Sequence, residues 1–569
     1  MPQLACYFLL MVRVDSVLQR NGKASTLWLM CGAIVGIAVA IAWWRTTSAP
    51  PAEAVYFGRT TPDAADVFRF TNGAEPETLD PALLSGQPDG RVARTLFEGL
   101  LVPDPQTLRP RAGIAHAWEL TPDGRTYTFH LRTNARWTNG ERLTAHDFAW
   151  SWLRVLHPDT PARYADLFYL IQNARAYKKR DITDPEQVGI HAMDDSTLQV
   201  TLEAPTPYFL QLLTYHPFLP VHRATLEAHG DGWTRPEHIV TNGAFRLVSH
   251  RQNDQMVFEK WDGYWDAANV RLQRIICYSV DDPGTMLNMY RAGMTDWNPS
   301  GYVPAQFVPY VKHYKDYRAG AYLALYFYSL VVTEPPLDDK RVRQALAAAI
   351  DREQITRYVL HESVAPWGNI VPHGFDDYPY PDGARFDPER AQQLLAAAGY
   401  PNGQGLPEIE ILFNTGEDHK KIGEAIQAMW KRHLGIDVRL TNQEWASYMR
   451  ATVDRKYQIA RRSWIGDYVD PNSFLAILMS GDGNNRTNWA DARFDSLVTS
   501  AGREHDPVRR MQLLAAAEAI ALDAMPFIPI YAYRTREFVA PYVRGIHPTA
   551  LDEHPLKFVS LARSGERAP

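Results

Sequence analysis

The chain has 569 residues, of which 46% are hydrophobic, and a formal net charge of −6 at pH 7. This length is too great for one ordinary core and predicts two to four domains. The small net charge and the lack of a basic cluster argue against a nucleic-acid partner. Cysteine occurs three times, at Cys6, Cys31 and Cys277, so the body of the chain holds one cysteine and no internal disulfide is expected.

The N-terminal segment carries an export signal. An apolar run covers residues 27–42 and follows the basic side chains of Arg20 and Lys23. Its length fits either a long signal-peptide core or a short membrane anchor, and the preceding charges favour a cytoplasmic N-terminus. We therefore expect a signal peptide or membrane anchor at 1–47 and a linker at 48–66. The rest of the chain would then lie in the periplasm or on the outer face of the cytoplasmic membrane.

The first half of the body is typical of strands and hairpins. Residues 67–70 open a strand, and residues 118–132 form a hairpin around a Pro-Asp-Gly turn. Thr144 and Asp147 have the spacing of a capping box and so predict the start of a helix. Residues 322–328 predict another, strong strand.

The second half alternates between helix and strand patterns. Asp387–Pro388 and Asp506–Pro507 each provide a cap and an N-terminal proline for a helix. Residues 408–413 and 527–531 are expected to be strands, and Pro529 places the second of them at a sheet edge, as the last strand. This alternation predicts an α/β lobe with a mixed sheet.

Motifs of the common enzyme classes are absent from the sequence. There is no GxxxxGK[ST], HExxH, CxxC or GxSxG motif, and the 18 histidines lack metal-ligand spacing. We therefore expect no cofactor, no metal site and no catalysis. What is left fits a protein that binds a ligand without changing it.

Residues 460–470 combine charges, aromatic side chains and a glycine in one short stretch. Arg461 and Asp467 lie among Trp464 and Tyr468, and Gly466 lets another backbone approach closely. This mixture is typical of a pocket wall. The alternative interpretation is a structural ion pair between Arg461 and Asp467 in a half-buried loop.

Several motifs resemble those of solute-binding protein family 5, the oligopeptide-binding proteins that serve ABC importers. They are Leu79-Asp80-Pro81, the LFEGL sequence at 96–100, the run from 132 to 148, and residues 460–470. The resemblance extends from about Phe68 to Leu561. It implies an α/β, two-lobed periplasmic-binding-protein fold with mixed sheets, a hinge, and an extra small domain inserted in the first lobe. The implied limits are 67–97, 220–280 and 535–569 for lobe I, 98–219 for the insert, and 281–534 for lobe II.

The resemblance also implies roles for individual residues. The carboxylate of Asp467 would receive the peptide's free α-amino group, and Arg461 and His419 would meet its carboxylate end. Two short strands would sandwich the peptide main chain. Their residues, together with the aromatic side chains expected near the ligand, are Ser463, Trp464, Ile465, Ser85, Gly86, Gln87, Trp445 and Tyr164. The family often has a glutamate where this chain has Ser85, which removes one possible contact to the peptide's amino end. Some relatives have a lysine where this chain has Glu334, so the preferred peptide length stays open.

The function implied is that of an extracytoplasmic binding protein. It would act as a monomer, capture short peptides in a closing cleft, and deliver them to the permease subunits of an ABC importer. Murein peptides, haem or a metal chelate are the alternative ligands for the same fold. A hydrolase or chaperone that acts on peptides is the alternative from another functional class.

Overall fold

In a computed structural model, the described residues are 55–84, 86–375 and 377–562. The predicted signal peptide or anchor at 1–47 lies outside them, as does Ser85. Across the described residues, no helix combines the length and apolar character needed to span a membrane.

The strands are labelled in chain order. They are β1 (Val67–Thr71), β2 (Leu101–Pro103), β3 (Pro110–Ala112), β4 (Ala115–Leu120), β5 (Thr126–Leu131), β6 (Ile190–Asp194), β7 (Thr197–Thr201), β8 (Phe245–Arg251), β9 (Gln255–Lys260), β10 (Arg274–Tyr278), β11 (Trp297–Asn298), β12 (Tyr317–Leu330), β13 (Ala365–Pro366), β14 (Ile409–Asn414), β15 (Val438–Gln443), β16 (Ile459–Ile465), β17 (Phe527–Val539), β18 (Val543–Arg544) and β19 (Ser560–Leu561).

The α-helices are labelled in the same way. They are α1 (Gln87–Leu96), α2 (Ala145–Leu156), α3 (Ala174–Lys178), α4 (Phe209–Leu212), α5 (Arg223–His229), α6 (Pro283–Arg291), α7 (Val308–Val311), α8 (Lys340–Ala348), α9 (Arg352–Gln354), α10 (Pro388–Ala397), α11 (Glu417–Leu434), α12 (Trp445–Val453), α13 (Asn472–Leu475), α14 (Ala492–Arg503) and α15 (Pro507–Ala524).

One large mixed sheet runs through the molecule. Its strand order is β15-β14-β16-β12-β17-β11-β1-β10-β9-β8, and β13 adds to β17. Strand β14 is parallel to β15 and β16, and β1 is parallel to β10 and β11, whereas the other pairs are antiparallel. We call β1 and β8 to β11 the first half-sheet, and β12 to β17 the second half-sheet. A separate sheet of order β4-β5-β7-β6 packs with the first half-sheet. The predicted α/β class is confirmed.

The three largest buried clusters among the described residues hold these layers together. Core 1 joins the first half-sheet to the separate four-stranded sheet and includes Phe68 and Trp152. Cores 2 and 3 lie on the two faces of the second half-sheet. Neighbouring residues of β12 point to opposite faces, so Tyr326 belongs to core 2 and Phe327 to core 3. The limits predicted for the lobes and the insert remain predictions.

Local signals in the sequence were accurate where capping and turn chemistry decide the backbone. The capping box at the start of α2 is confirmed, since the Thr144 backbone N–H donates to Asp147 Oδ2 at 2.7 Å. The hairpin of β4 and β5 is also present, with Gly124 in its turn.

The expected edge position of residues 527–531 is wrong for β17 as a whole, although no described strand other than β12 pairs with residues 527–530. Strand β17 lies inside the sheet, with β12 on one side and β11 and β13 on the other, and two short strands follow it. Pro529 pairs with β12 alone among the described strands, and the register with β12 shifts beside it, between Tyr326 and Phe327. A proline at a locally unpaired strand edge is tolerated.

Strands β12 and β17 connect the two half-sheets. They have 14 and 13 residues and pair from Tyr317 with Phe538 to Ser329 with Phe527. The end of β17 then pairs with β11 of the first half-sheet. The ladder between β12 and β17 is interrupted twice on the way, between Ala321 and Leu325 and between Tyr326 and Phe327.

Candidate functional site

Strand β16 has one free edge over most of its length. Its first edge pairs with β12 from Ile459 to Ile465, whereas on its second edge β14 reaches only Ile459 and Ala460. No strand among the described residues pairs with the second edge beyond Ala460. Unpaired N–H and C=O groups in such a row can accept an added strand.

Arg461 is a buried cation beside this edge. Its guanidinium lies over the Tyr326 ring, with Cζ 4.7 Å from the ring centroid, and donates to Asn414 Oδ1 at 3.2 Å and to the Tyr533 hydroxyl at 3.4 Å. Within the described part of the chain it has no carboxylate partner, and its Nε has no hydrogen-bond partner. A buried charge without a counter-charge is unfavourable, so the position suits an anionic ligand group.

His419 lies next to Arg461 at the start of α11. Its Nδ1 is 3.4 Å from the Tyr326 hydroxyl, and the two rings are 5.7 Å apart. Burial, with a contribution from Arg461, lowers the pKa of His419 to about 3. The imidazole is therefore neutral at physiological pH and can donate one N–H to an acceptor.

Asp467 follows the end of β16 and carries the opposite charge. Its backbone N–H donates to Ser473 Oγ at 2.9 Å, which fixes the main chain. Its carboxylate accepts no hydrogen bond from the residues that the structure describes. Burial, and to a smaller extent the charge of Asp166, raises the pKa of Asp467 to about 7. A ligand cation at this position would stabilise the ionised carboxylate.

The ion pair in this stretch involves a different aspartate. Asp470 accepts two hydrogen bonds from Arg510, at 2.6 and 2.9 Å, and both side chains are buried. Arg461 and Asp467 do not contact each other. The interpretation as a structural ion pair therefore applies to Asp470 and Arg510. The charges of Arg461 and Asp467 stay available for a ligand.

A cavity of about 340 Å³ opens in front of Asp467. Residues of β16 and the loop after it form one wall, and residues from the first part of the chain and the segment before β19 form the others. The predicted residues that line it are Gly86, Gln87, Tyr164, Ser463, Trp464, Ile465 and Asp467, and Gly466 lies among them. The structure thus brings together most of the predicted site.

Some predicted residues lie elsewhere. Arg461 and His419 are nearer the other end of β16 and do not line this cavity. Trp445 begins α12, is 56% exposed and stacks on Tyr448, with 5.8 Å between the ring centroids. The predicted second strand at 85–87 is wrong where it is described, because Gln87 begins α1. Pro88 in the first turn favours that helix start, and Gly86 precedes it with a φ of 88°.

Sequence reasoning missed several cavity residues. They are Arg94, Tyr215, His216, Leu551 and Glu553. Glu553 pairs with Arg94 at 3.1 Å, and Tyr164 contacts both Tyr215 and His216 edge-on. No local spacing signals these positions, because only the fold brings them together.

Comparisons with known proteins identify the class. The family model described as bacterial extracellular solute-binding proteins, family 5 Middle, matches residues 109–486. The chain belongs to this family of solute-binding proteins.

Similar proteins cover most of the chain. It is 35% identical over 493 residues to the periplasmic oligopeptide-binding protein OppA of Salmonella typhimurium, which covers 83% of this chain and 88% of the relative. It is also 35% identical over 484 residues to the periplasmic murein peptide-binding protein MppA of Escherichia coli, with coverages of 83% and 88%.

Among solved structures, the Haemophilus influenzae OppA complex with the peptide RPPGFSPFR aligns with a TM-score of 0.74 and 32% identity. That alignment covers 88% of this chain and all of the other. The predicted two-lobed binding-protein fold is confirmed.

Proposed function

We propose that this protein captures short peptides outside the cytoplasm and delivers them to an ABC importer. One observation carries the proposal: among the described residues, an unpaired strand edge lies between Arg461, a buried cation without an anionic partner, and Asp467, a carboxylate without a cationic partner. A free peptide offers the complementary groups, namely an ammonium end, a carboxylate end and a row of amides. It would add to β16 as an antiparallel strand, with its amino end at Asp467 and its carboxyl end at Arg461 and His419.

The separation of Arg461 and Asp467 limits the length of the peptide. Six residue steps separate Arg461 from Asp467, which at about 3.3 Å each gives at most roughly 20 Å. An extended peptide of up to about six residues covers that length. The murein peptide-binding relative keeps murein peptides as the second candidate ligand. Trp464 and Tyr164 line the cavity and would contact the side chains of the first residues of the peptide.

The partner and the location follow from family membership. We infer that the loaded protein docks on permease subunits in the cytoplasmic membrane. Residues 1–47 would export the body and either leave it free in the periplasm or tether it. A reporter fused after Arg45 tests this topology, and activity only in the cytoplasm would exclude it.

Peptide binding should make the protein more compact and more stable. The cavity beside Asp467 is lined by elements of both core 1 and the second half-sheet, so a bound peptide would hold them together. We expect a smaller radius of gyration in small-angle scattering and a higher melting temperature, because the peptide binds only the folded state. Mass spectrometry should recover the peptide intact. An unchanged radius at saturation would exclude closure, and cleaved peptide would favour the hydrolase.

Peptide affinity should depend on pH with a maximum between about 7 and 8. The pKa of Asp467 is raised to about 7 in the free protein, and the peptide ammonium would lower it in the complex. Below pH 7 binding must therefore release a proton, and affinity falls up to about tenfold per pH unit. Above roughly pH 8 the peptide's α-amino group loses its own charge.

Calorimetry across this pH range, in buffers of different ionisation enthalpy, measures both the affinity and the proton release. Asp467→Asn should remove the fall in peptide affinity below pH 7. A wild-type affinity that does not change between about pH 5.5 and 7 would contradict the assignment.

A further inference from the structure

A second cavity, of about 370 Å³, lies where the large sheet passes from one half to the other. It shares no lining residue with the cavity beside Asp467. Four cationic side chains, Lys312, Arg357, Arg534 and Arg536, line it together with the single carboxylate of Glu362. A concave surface with this excess of positive charge favours an anionic ligand.

The sheet itself builds the floor of the cavity. In the ladder between β12 and β17, Arg534 lies opposite Ala321 and Arg536 opposite Ala319. Residues directly opposite share a face of the sheet, so small side chains accompany both arginines. Strand β17 pairs with β13 only at Tyr531 and Ala532, and with β11 only from Phe538 onward. The gap between those two partners gives the cavity its space.

The guanidinium of Arg536 has unused donors. Its Nε and Nη1 are buried and have no hydrogen-bond partner among the residues that the structure describes. Burial also lowers the pKa of Arg536, and nearby tyrosines and Asp418 oppose this effect only in part. Buried donors of a charged group are costly to leave unpaired, and planar guanidinium groups match carboxylate and phosphate oxygens. The cavity therefore supplies the charge for an oxyanion, and Arg536, which lines it, has buried guanidinium donors without a partner among the described residues.

The walls of the cavity come from two different packing units. Val308 belongs to core 1 and lies four residues before Lys312, whereas Val364 belongs to core 2 and follows Glu362. The ion pair between Lys312 Nζ and Glu362 Oε2, at 3.0 Å, connects these walls, but both side chains are at least half exposed. An anion inside the cavity would contact both walls at once.

We propose that this cavity is a binding site for a small oxyanion, of the carboxylate or phosphate class, that links the two halves of the sheet. In the structure, the cavity beside Asp467 is likewise lined both by elements of core 1 and by the second half-sheet. An anion that holds this arrangement therefore strengthens peptide binding, and the peptide strengthens anion binding by the same factor. The site itself is independent of the proposed peptide function, whereas the coupling rests on it.

Thermal unfolding of the full chain tests the site without peptide. Inorganic phosphate and succinate are added separately at constant ionic strength, with chloride as the replaced salt. At least one dianion should raise the melting temperature by a few degrees, and the one that does so identifies the class of ligand. Arg536→Gln and Lys312→Gln should each reduce the shift strongly.

Arg432→Gln is the matched control, because Arg432 is exposed on α11 and does not line the cavity. It removes the same charge and should keep the full shift. Lys312 is half exposed, so Lys312→Gln is expected to fold. It therefore still tests the site if Arg536→Gln fails to fold. No shift with either dianion, or an equal shift in all variants, would overturn the site.

The coupling is measured by titrating the same peptide with and without the active dianion. Wild-type affinity should rise roughly fivefold or more, and the gain should vanish in Lys312→Gln. An unchanged affinity, or competition between peptide and dianion, would overturn the coupling. If no peptide binds while the dianion still shifts the melting temperature, the proposed function fails and the anion site stands.

Discussion

Asp467→Ala should weaken peptide binding by on the order of 30- to several-thousand-fold. The variant would leave the peptide ammonium in a partly buried cleft without its partner. Truncating one member of a buried charge pair typically costs about 2–5 kcal/mol, and roughly 1.4 kcal/mol corresponds to a tenfold change. Isothermal calorimetry with a short peptide of free termini measures the change.

Acetylation of the peptide's amino end provides the control for this prediction. It should weaken wild-type binding by a similar factor and should matter little in Asp467→Ala, because the carboxylate is already gone. The coupling energy comes from the four combinations of protein and peptide. Equal acetylation penalties in both proteins would remove Asp467 from the site.

Asp470→Asn should destabilise the fold by on the order of 3–5 kcal/mol. The side chains of Arg510 and Asp470 are only 4% and 11% exposed, and the substitution would leave the arginine buried without an anion. Asp470 also accepts the backbone N–H of Asn472 at 2.9 Å, so it fixes the loop that follows Asp467. Denaturant and thermal unfolding without ligand measure the loss.

The exposed pair of Lys340 and Asp523 is the matched control. Its length is 2.8 Å, but its side chains are 54% and 64% exposed, so Asp523→Asn should cost no more than about 1 kcal/mol. Joint replacement of Asp470 and Arg510 by leucine and methionine should recover part of the stability, since an apolar pair leaves no unpaired charge. Equal losses of stability in Asp470→Asn and Asp523→Asn would show that the buried pair contributes no more to the stability of the fold than the exposed pair does.

The sequence predicted those features that are encoded within a few residues. Thr144 and Asp147 cap a helix through their own backbone, and the Pro-Asp-Gly turn fixes its hairpin, whatever lies further away. The short strand expected at 463–465 came from the family resemblance, and these residues lie in β16. The role of these residues and of Asp467 in peptide binding remains a prediction.

Features that depend on distant contacts were not predictable in this way. The Pro529 signal favoured an edge strand, and only β12 among the described strands pairs with Pro529, but further along β17 its second side pairs with β13 and β11. Asp470 finds Arg510 only after α15 packs against its loop, so the ion pair could as well have been assigned to Asp467. Glu553 reaches the cavity because the chain after β17 packs in core 1.

The passage of β12 and β17 between the half-sheets constrains how the molecule can move. Two hydrogen-bonded strands resist sliding and separation, since either displacement would break ladder bonds on both sides of the interruption at Ala321–Leu325. The motion that these two strands still permit is a rotation of one half-sheet against the other, about one axis through β12 and β17. Both ends of a cleft that closes by such a rotation must move together. A ligand would then be enclosed along its whole length or not at all, and capture and release would follow one path in opposite directions.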